Sequence, residues 1–103
     1  MRKIIKGNVD LSDLYLTELF DLSDVEVMGY FYCAINNLTS LAGAPHTVGG
    51  DFDCSYNNLT SLEGIPKTVG VDFFIDKALK DKFPEEYIRS LCEIEGEVIY
   101  CEL

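Results

Sequence analysis

The side chains able to attack an electrophile or ligate a metal are four cysteines, Cys33, Cys54, Cys92 and Cys101, and one histidine, His46. Cysteine catalysis needs a neighbouring base to raise the thiolate fraction. His46 stands in the turn Pro45-His46-Thr47, away from the Cys33 and Cys54 segments. No two cysteines form a C-x-x-C pair, and zinc needs about four thiolates or imidazoles at compatible spacing. The carboxylates offer two close pairs, Asp51 with Asp53 and Asp72 with Asp76. A hydrolase requires one member of such a pair to be desolvated with a raised pKa, which an open strand surface does not provide. Neither a P-loop nor an EF-hand spacing occurs. The expectation is a non-enzymatic protein without metal or cofactor.

Charge narrows the partners. The 103 residues carry 8 Lys+Arg against 18 Asp+Glu, a formal charge of −10. Residues 1–28, 29–76 and 77–103 contribute −3, −4 and −3, so the acid is spread and no acidic tail exists. Such a chain repels phosphate backbones, so direct nucleic-acid binding is not expected, whereas a basic protein surface is a natural partner. No apolar run approaches the ~20 residues of a membrane span, and Met1-Arg2-Lys3-Ile4-Ile5-Lys6 lacks the apolar core of a signal peptide. Reduced, mostly buried thiols and a cytoplasmic location follow as expectations.

The elements that position these groups come from an internal repeat. Residues 31–49 read FYCAINNLTSLAGAPHTVG and residues 52–70 read FDCSYNNLTSLEGIPKTVG, an offset of 21 residues. A third copy begins at Val71-Asp72-Phe73-Phe74-Ile75, and a degenerate one precedes them, with Val9 and Leu11 matching Phe31 and Cys33. In F-x-C-x-x-N-x-L the first and third residues point the same way from an extended strand. One strand per repeat, then an apolar bend and a Gly/Pro return, describes a coil whose strands stack in parallel. Phe31, Phe52 and Phe73 then form one inner column behind Val9; Leu11, Cys33, Cys54 and Ile75 a second; Leu16, Leu38 and Leu59 a third. Leu19, Leu41 and Leu62 supply the far wall. Asn36 and Asn57 stand where an amide can satisfy the backbone of neighbouring turns. Gly43, Gly64, Pro45 and Pro66 suit the tight return. Parallel neighbours align their side chains, so a Cys33–Cys54 disulfide is not expected.

The block F-x-C-x-x-N-x-L-T-S-L-x-G-x-P resembles the leucine-rich repeat. It is similar to the short bacterial-effector subclass L-x-V-x-x-N-x-L-x-x-L-P, and closer still to small N-N-L-T-S-L-E-G-x-P repeat proteins of tailed bacteriophages. The resemblance covers about residues 8–79. It departs at both ends, where Leu14 and Ala78 replace the asparagine and Phe20 the proline. It implies a curved parallel sheet used to bind proteins, with no chemistry of its own.

The expected fold is therefore a single domain over 1–103, a leucine-rich-repeat solenoid. It comprises an N-terminal cap and degenerate repeat (1–28), repeats (29–79) and a C-terminal cap (80–103). About four turns share one short parallel sheet. Phe83 to Gly96 reads as a capping helix, with Pro84 at its first position, Ile88, Leu91, Cys92 and Glu95 on one face, and Gly96 as its stop. Val98-Ile99-Tyr100-Cys101 reads as a final strand, and Ile4-Ile5 as closing the first turn.

Alternation also names the outward side chains. Asp10, Tyr32, Asp53 and Phe74 fall in line, beside Asn8, Tyr30, Asp51 and Asp72, then Ser12, Ala34, Ser55 and Asp76. Aromatic rings set among carboxylates suit a protein-binding face, though cross-strand packing would place them there too. The candidate partner-binding residues are Tyr30, Tyr32, Asp51, Asp53, Asp72 and Phe74; the return loops and the C-terminal helix are the competing surfaces. The resemblance implies a phage-encoded accessory protein that occupies a host defence or nucleic-acid-handling protein; the expected state is a monomer or weak homo-oligomer in the bacterial cytoplasm. The alternatives are an acidic nucleic-acid mimic acting at a basic cleft and a virion or self-assembly component.

Overall fold

In the computed structural model, which describes residues 2–102, the chain lays strands alternately into two parallel sheets. One contains β1 (Lys3–Ile5), β3 (Val25–Val27), β5 (Thr47–Val48), β7 (Thr68–Val69) and β9 (Glu93–Ile94), in that spatial order. The other contains β2 (Val9–Asp10), β4 (Phe31–Tyr32), β6 (Phe52–Asp53), β8 (Phe73–Asp76) and β10 (Val98–Cys101). Every pairing is parallel, and each pass of the chain adds one strand to the odd-numbered sheet and one to the even-numbered sheet.

The expected columns are present. Phe31, Phe52 and Phe73 are in register, with ring centroids 5.7 and 5.4 Å apart and nearly parallel planes. Cys33, Cys54 and Ile75 are fully buried behind them, as are Leu38 and Leu41. All four cysteines are free thiols. Ladder hydrogen bonds extend beyond the short strands: Cys33 N–H donates to the Asp53 carbonyl (2.8 Å) and Cys54 N–H to that of Phe74 (3.0 Å).

The odd-numbered sheet is a departure from the single sheet that the repeat suggested. The segment read as a return, Pro45 to Gly49, carries β5, and Val27, Val48, Val69 and Ile94 form a further column in register. Both sheets turn their buried side chains into one core, so this column, and not the leucines alone, forms the second wall. Each repeat is thus extended twice, and the leucine-rich stretch between is irregular chain.

Asparagine holds that irregular chain in place. The Asn36 amide donates to the carbonyls of Leu11 (2.9 Å), Cys33 (3.2 Å) and Ala34 (3.1 Å), and its oxygen accepts from Leu14 N–H and Leu16 N–H. Asn57 repeats this with the carbonyls of Cys33, Cys54 and Ser55 and the Leu38 N–H. Where Ala78 stands in the asparagine position, the Asp76 carboxylate accepts from Tyr56 N–H and Asn57 N–H. Among the described residues no buried side-chain nitrogen or oxygen lacks a partner. Gly43 and Gly64 have φ of 93° and 88°, and a Cβ on Gly64 would collide with the Leu41 carbonyl oxygen.

The C-terminal cap differs from its expected form. Helix α1 spans only Glu85–Leu91, with Pro84 preceding it in extended conformation. Cys92 is extended (φ −140°, ψ 131°), and Glu93–Ile94 leave the helix to become β9. Glu93 N–H donates to the Lys67 carbonyl (2.9 Å) and Glu95 N–H to that of Val69 (3.0 Å). Sheet hydrogen bonds and burial of Ile94 beside Val69 replace the last helical turn. Of the expected helix face, Ile88 and Cys92 are buried, whereas Leu91 and Glu95 are exposed. Gly96 is therefore a link between β9 and β10 and not a helix stop. Arg89 fastens this corner, donating to Glu85 and to the Ile94 and Gly96 carbonyls, each at 2.8 Å. Phe83, Ile88 and Cys92 cover the last turn, and Tyr100 Oη donates to the Phe83 carbonyl (2.7 Å). At the other end, Ile5 packs on the core, but Ile4 points outward and β1 remains an edge strand.

Candidate functional site

Parallel register assembles the candidate face. In the even-numbered sheet Asp10 pairs with Tyr32, Tyr32 with Asp53, Asp53 with Phe74, and Phe74 with Ile99. Because each sits between two inward residues of its strand, all five project from the outer surface. Tyr32, Asp53, Phe74 and Ile99 are half-buried by their neighbours. Ile99 was not among the candidate residues; the alternation of Val98-Ile99-Tyr100-Cys101, which matches Phe73-Phe74-Ile75-Asp76, carries the signal.

The column beside it divides into two roles. Asn8 Oδ1 accepts from Tyr30 N–H (2.9 Å), Asp51 Oδ1 from Asp72 N–H (3.0 Å) and Asp72 Oδ1 from Glu97 N–H (2.8 Å). Asp51 and Asp72 therefore tie one turn of the chain to the next through their carboxylates. Tyr30 interrupts this series, since it has no acceptor on a short arm. Its ring instead lies on that of Tyr32, with centroids 3.9 Å apart and planes 14° from parallel. Asp53 accepts from Ser55 N–H (2.9 Å) and Ser55 Oγ–H (2.6 Å), and Asp10 from Ser12 N–H (3.0 Å). Acidic Asp-x-Ser turns thus alternate with aromatic ones at Tyr32 and Phe74.

The electrostatics follow from that alternation. Partial burial raises the Tyr32 pKa, and Asp51, Tyr30, Asp53 and Asp10 raise it further. The hydroxyl therefore keeps its proton and remains a hydrogen-bond donor amid negative charge. The stacked pair presents a π surface flanked by carboxylates, an arrangement that attracts guanidinium and ammonium groups.

The groups able to do covalent chemistry are placed otherwise. Burial pushes the Cys33 and Cys54 thiols far above their ordinary range and that of Cys92 up to about 12, which suppresses thiolate. His46 hangs its backbone on Val25 and Lys67 at the odd-numbered sheet, whereas Cys33 and Cys54 extend the even-numbered one. Among the described residues no group of three His, Cys, Asp or Glu side chains is arranged to hold a metal.

A furrow of about 500 Å³ crosses the outer side of the odd-numbered sheet over Thr47, Thr68, Gly49 and Gly70, between Glu26 and Glu93. Close stacking accounts for it: a Cβ on Gly70 would strike the Gly49 carbonyl oxygen, and one on Gly49 that of Met28. Glycine is required there by the neighbouring backbone, and the furrow is the space left by the missing side chains.

No protein-family model matches the chain, and neither a curated protein nor a solved structure matches it. No helix among the described residues is long and apolar enough to cross a membrane.

Proposed function

We propose that the chain is a leucine-rich-repeat solenoid acting as a non-enzymatic protein-interaction module, which engages a basic protein surface through the outer face of the even-numbered sheet. The observation that carries this reading is the Tyr30–Tyr32 stack, exposed on one side and set in a column with Asp53 and Phe74. Sheet stability supplies a reason for one aromatic per strand; it supplies little for two rings stacked along a single strand among carboxylates. Tyrosine and phenylalanine anchors with a carboxylate rim match the anatomy of an interface centre. Asp51 and Asp72 take a supporting part here, as carboxylates that hold the backbone and add negative field.

The likeness of the repeat to those of tailed bacteriophages supports a more specific reading. The chain is then a phage-encoded accessory protein that binds and inhibits or redirects a host defence or nucleic-acid-handling protein in the bacterial cytoplasm. The test is capture from bacterial lysate with wild-type protein and with the Tyr32→Ala/Phe74→Ala double variant as baits. A basic protein retained by the first and lost by the second supports the face; equal retention by both removes it.

A further inference from the structure

The chain's own cations are unevenly placed over its aromatic rings. At the C-terminal cap Lys80 Nζ lies 5.2 Å from the centre of the Tyr100 ring, and Lys82 Nζ 5.6 Å from that of Phe83. The Tyr30–Tyr32 stack has no such partner among the described residues. Nor does the sequence supply one nearby: between Lys6 and Lys67 there are nine Asp and Glu and no Lys or Arg. Three of those carboxylates surround the pair. Asp10 and Asp53 stand in register with Tyr32 on the strands to either side, about 4.8 Å away. Asp51 precedes Phe52, the register partner of Phe31, and so lies beside Tyr30.

Each of the three carboxylates keeps one oxygen unengaged. Oδ1 of Asp10 accepts from Ser12 N–H, Oδ1 of Asp53 from Ser55, and Oδ1 of Asp51 from Asp72 N–H. Their Oδ2 atoms accept no hydrogen bond among the described residues, where the ion pairs are Lys77–Glu102 and Arg89–Glu85. The site thus offers a flat π surface with anionic oxygens around its edges. A guanidinium group satisfies both at once: its plane lies on a ring while its N–H groups point outward, in that plane, toward carboxylates. An ammonium group is a strongly hydrated point charge with no plane to stack. The furrow between Glu26 and Glu93 has carboxylates but no aromatic ring, and so lacks the means to choose between the two cations.

We infer that the Tyr30–Tyr32 stack, with the Oδ2 atoms of Asp10, Asp51 and Asp53, is the docking site for an arginine side chain of the partner protein. This rests on the reading of the sheet's outer face as the interface, and narrows it from basic surfaces in general to those that present arginine. The guanidinium covers the exposed side of the stack and donates to Asp53. Phe74, the other register partner of Asp53, is left to the apolar part of the partner's surface.

The test compares hexaarginine with hexalysine, peptides of equal charge, titrated into the isotope-labelled full chain and followed by NMR. Equal charge cancels the attraction of either peptide to the acidic chain as a whole. Hexaarginine should bind about threefold or more tightly than hexalysine and shift the amide signals of Tyr30, Tyr32 and Asp53. That preference should vanish in Tyr30→Leu/Tyr32→Leu, which keeps every carboxylate, and persist in Tyr32→Phe, which keeps the ring. Asp53→Asn, which retains an acceptor for Ser55, is the second variant and should cost hexaarginine more affinity than hexalysine. Equal affinity of the two peptides, with shifts on these residues, overturns the arginine site while leaving the face as an interface. Shifts confined to the Glu26–Glu93 furrow or the C-terminal cap overturn both readings. A preference undiminished in Tyr30→Leu/Tyr32→Leu, or equal losses in Asp53→Asn, would also overturn the inference.

Discussion

The side-chain amide of Asn57 donates to the main-chain carbonyl of Cys33, 3.0 Å away in the preceding repeat, and at the same time to the Cys54 and Ser55 carbonyls of its own. Removing the side chain takes these bonds from the Cys54 carbonyl and, with the loss of Oδ1, from the Leu38 N–H, while the Cys33 carbonyl keeps Asn36 Nδ2 and the Ser55 carbonyl keeps Ile35 N–H. Asn57→Ala should cost about 1–3 kcal/mol. Asn57→Asp should cost more at neutral pH, since a carboxylate offers no donor to those carbonyls. Urea unfolding midpoints check both; a neutral Asn57→Ala would show that the ladder does not support the fold.

Ile35 leaves β4 with φ of 56°, in the left-handed region, where a β-branched residue is strained, and its side chain is 51% exposed. Tyr56 repeats the conformation one repeat later. Ile35→Asn should relieve strain of about 1 kcal/mol and remove an exposed apolar group, raising the unfolding midpoint. An unchanged or lowered midpoint would mean that the Ile35 side chain contributes packing worth at least the strain.

Alkaline pH should destabilise the protein. Cys33 and Cys54 have thiol pKa values raised well above the ordinary 9, and Cys92 about 12, all because of burial. In the unfolded chain these thiols lose protons near their ordinary pKa, so above it the folded state holds more protons and stability falls as pH rises. Below that pH the contribution is intact. Each thiol adds a slope of at most about 1.4 kcal/mol per pH unit. Denaturant midpoints should be flat near neutrality and fall beyond about pH 9, less steeply in Cys54→Val. A flat alkaline limb in wild type would contradict the buried thiols.

The carboxylates of the candidate face should separate by role. Asp72→Ala removes the acceptor of Glu97 N–H and should lower stability by about 1 kcal/mol, while Asp72→Asn, which keeps an acceptor oxygen, should restore most of it. Tyr32→Ala should leave stability nearly unchanged but weaken partner binding by more than Asp53→Asn does. Thermal unfolding and binding titration on the same variants read the two effects apart. Equal binding losses from Tyr32→Ala and Asp53→Asn would deny the aromatic pair its place as anchor.

Much of the even-numbered sheet was legible in the residues. Phe31, Phe52 and Phe73 recur at 21 residues, and a side-chain period of two then dictates that Tyr32, Asp53 and Phe74 share the other surface. The odd-numbered sheet left a fainter mark. Thr47-Val48-Gly49 and Thr68-Val69-Gly70 also repeat, but two-residue strands are too short to display alternation, and the neighbouring Gly and Pro suggested only a turn. Glu93-Ile94 was concealed for the opposite reason: it continues a plausible helical pattern, and only the waiting edge of β7 makes it a strand.

The amino-acid order alone, then, determined the repeat, the inward and outward sets of side chains, and the asparagine positions, because these follow from local periodicity and the valence of each side chain. Tertiary structure decided where α1 stops and that the Asp51 and Asp72 carboxylates are taken up by backbone N–H groups of the following turn. Each of those depends on contacts between segments about twenty residues apart, where a neighbouring turn supplies or withholds a hydrogen-bond partner that no local pattern encodes.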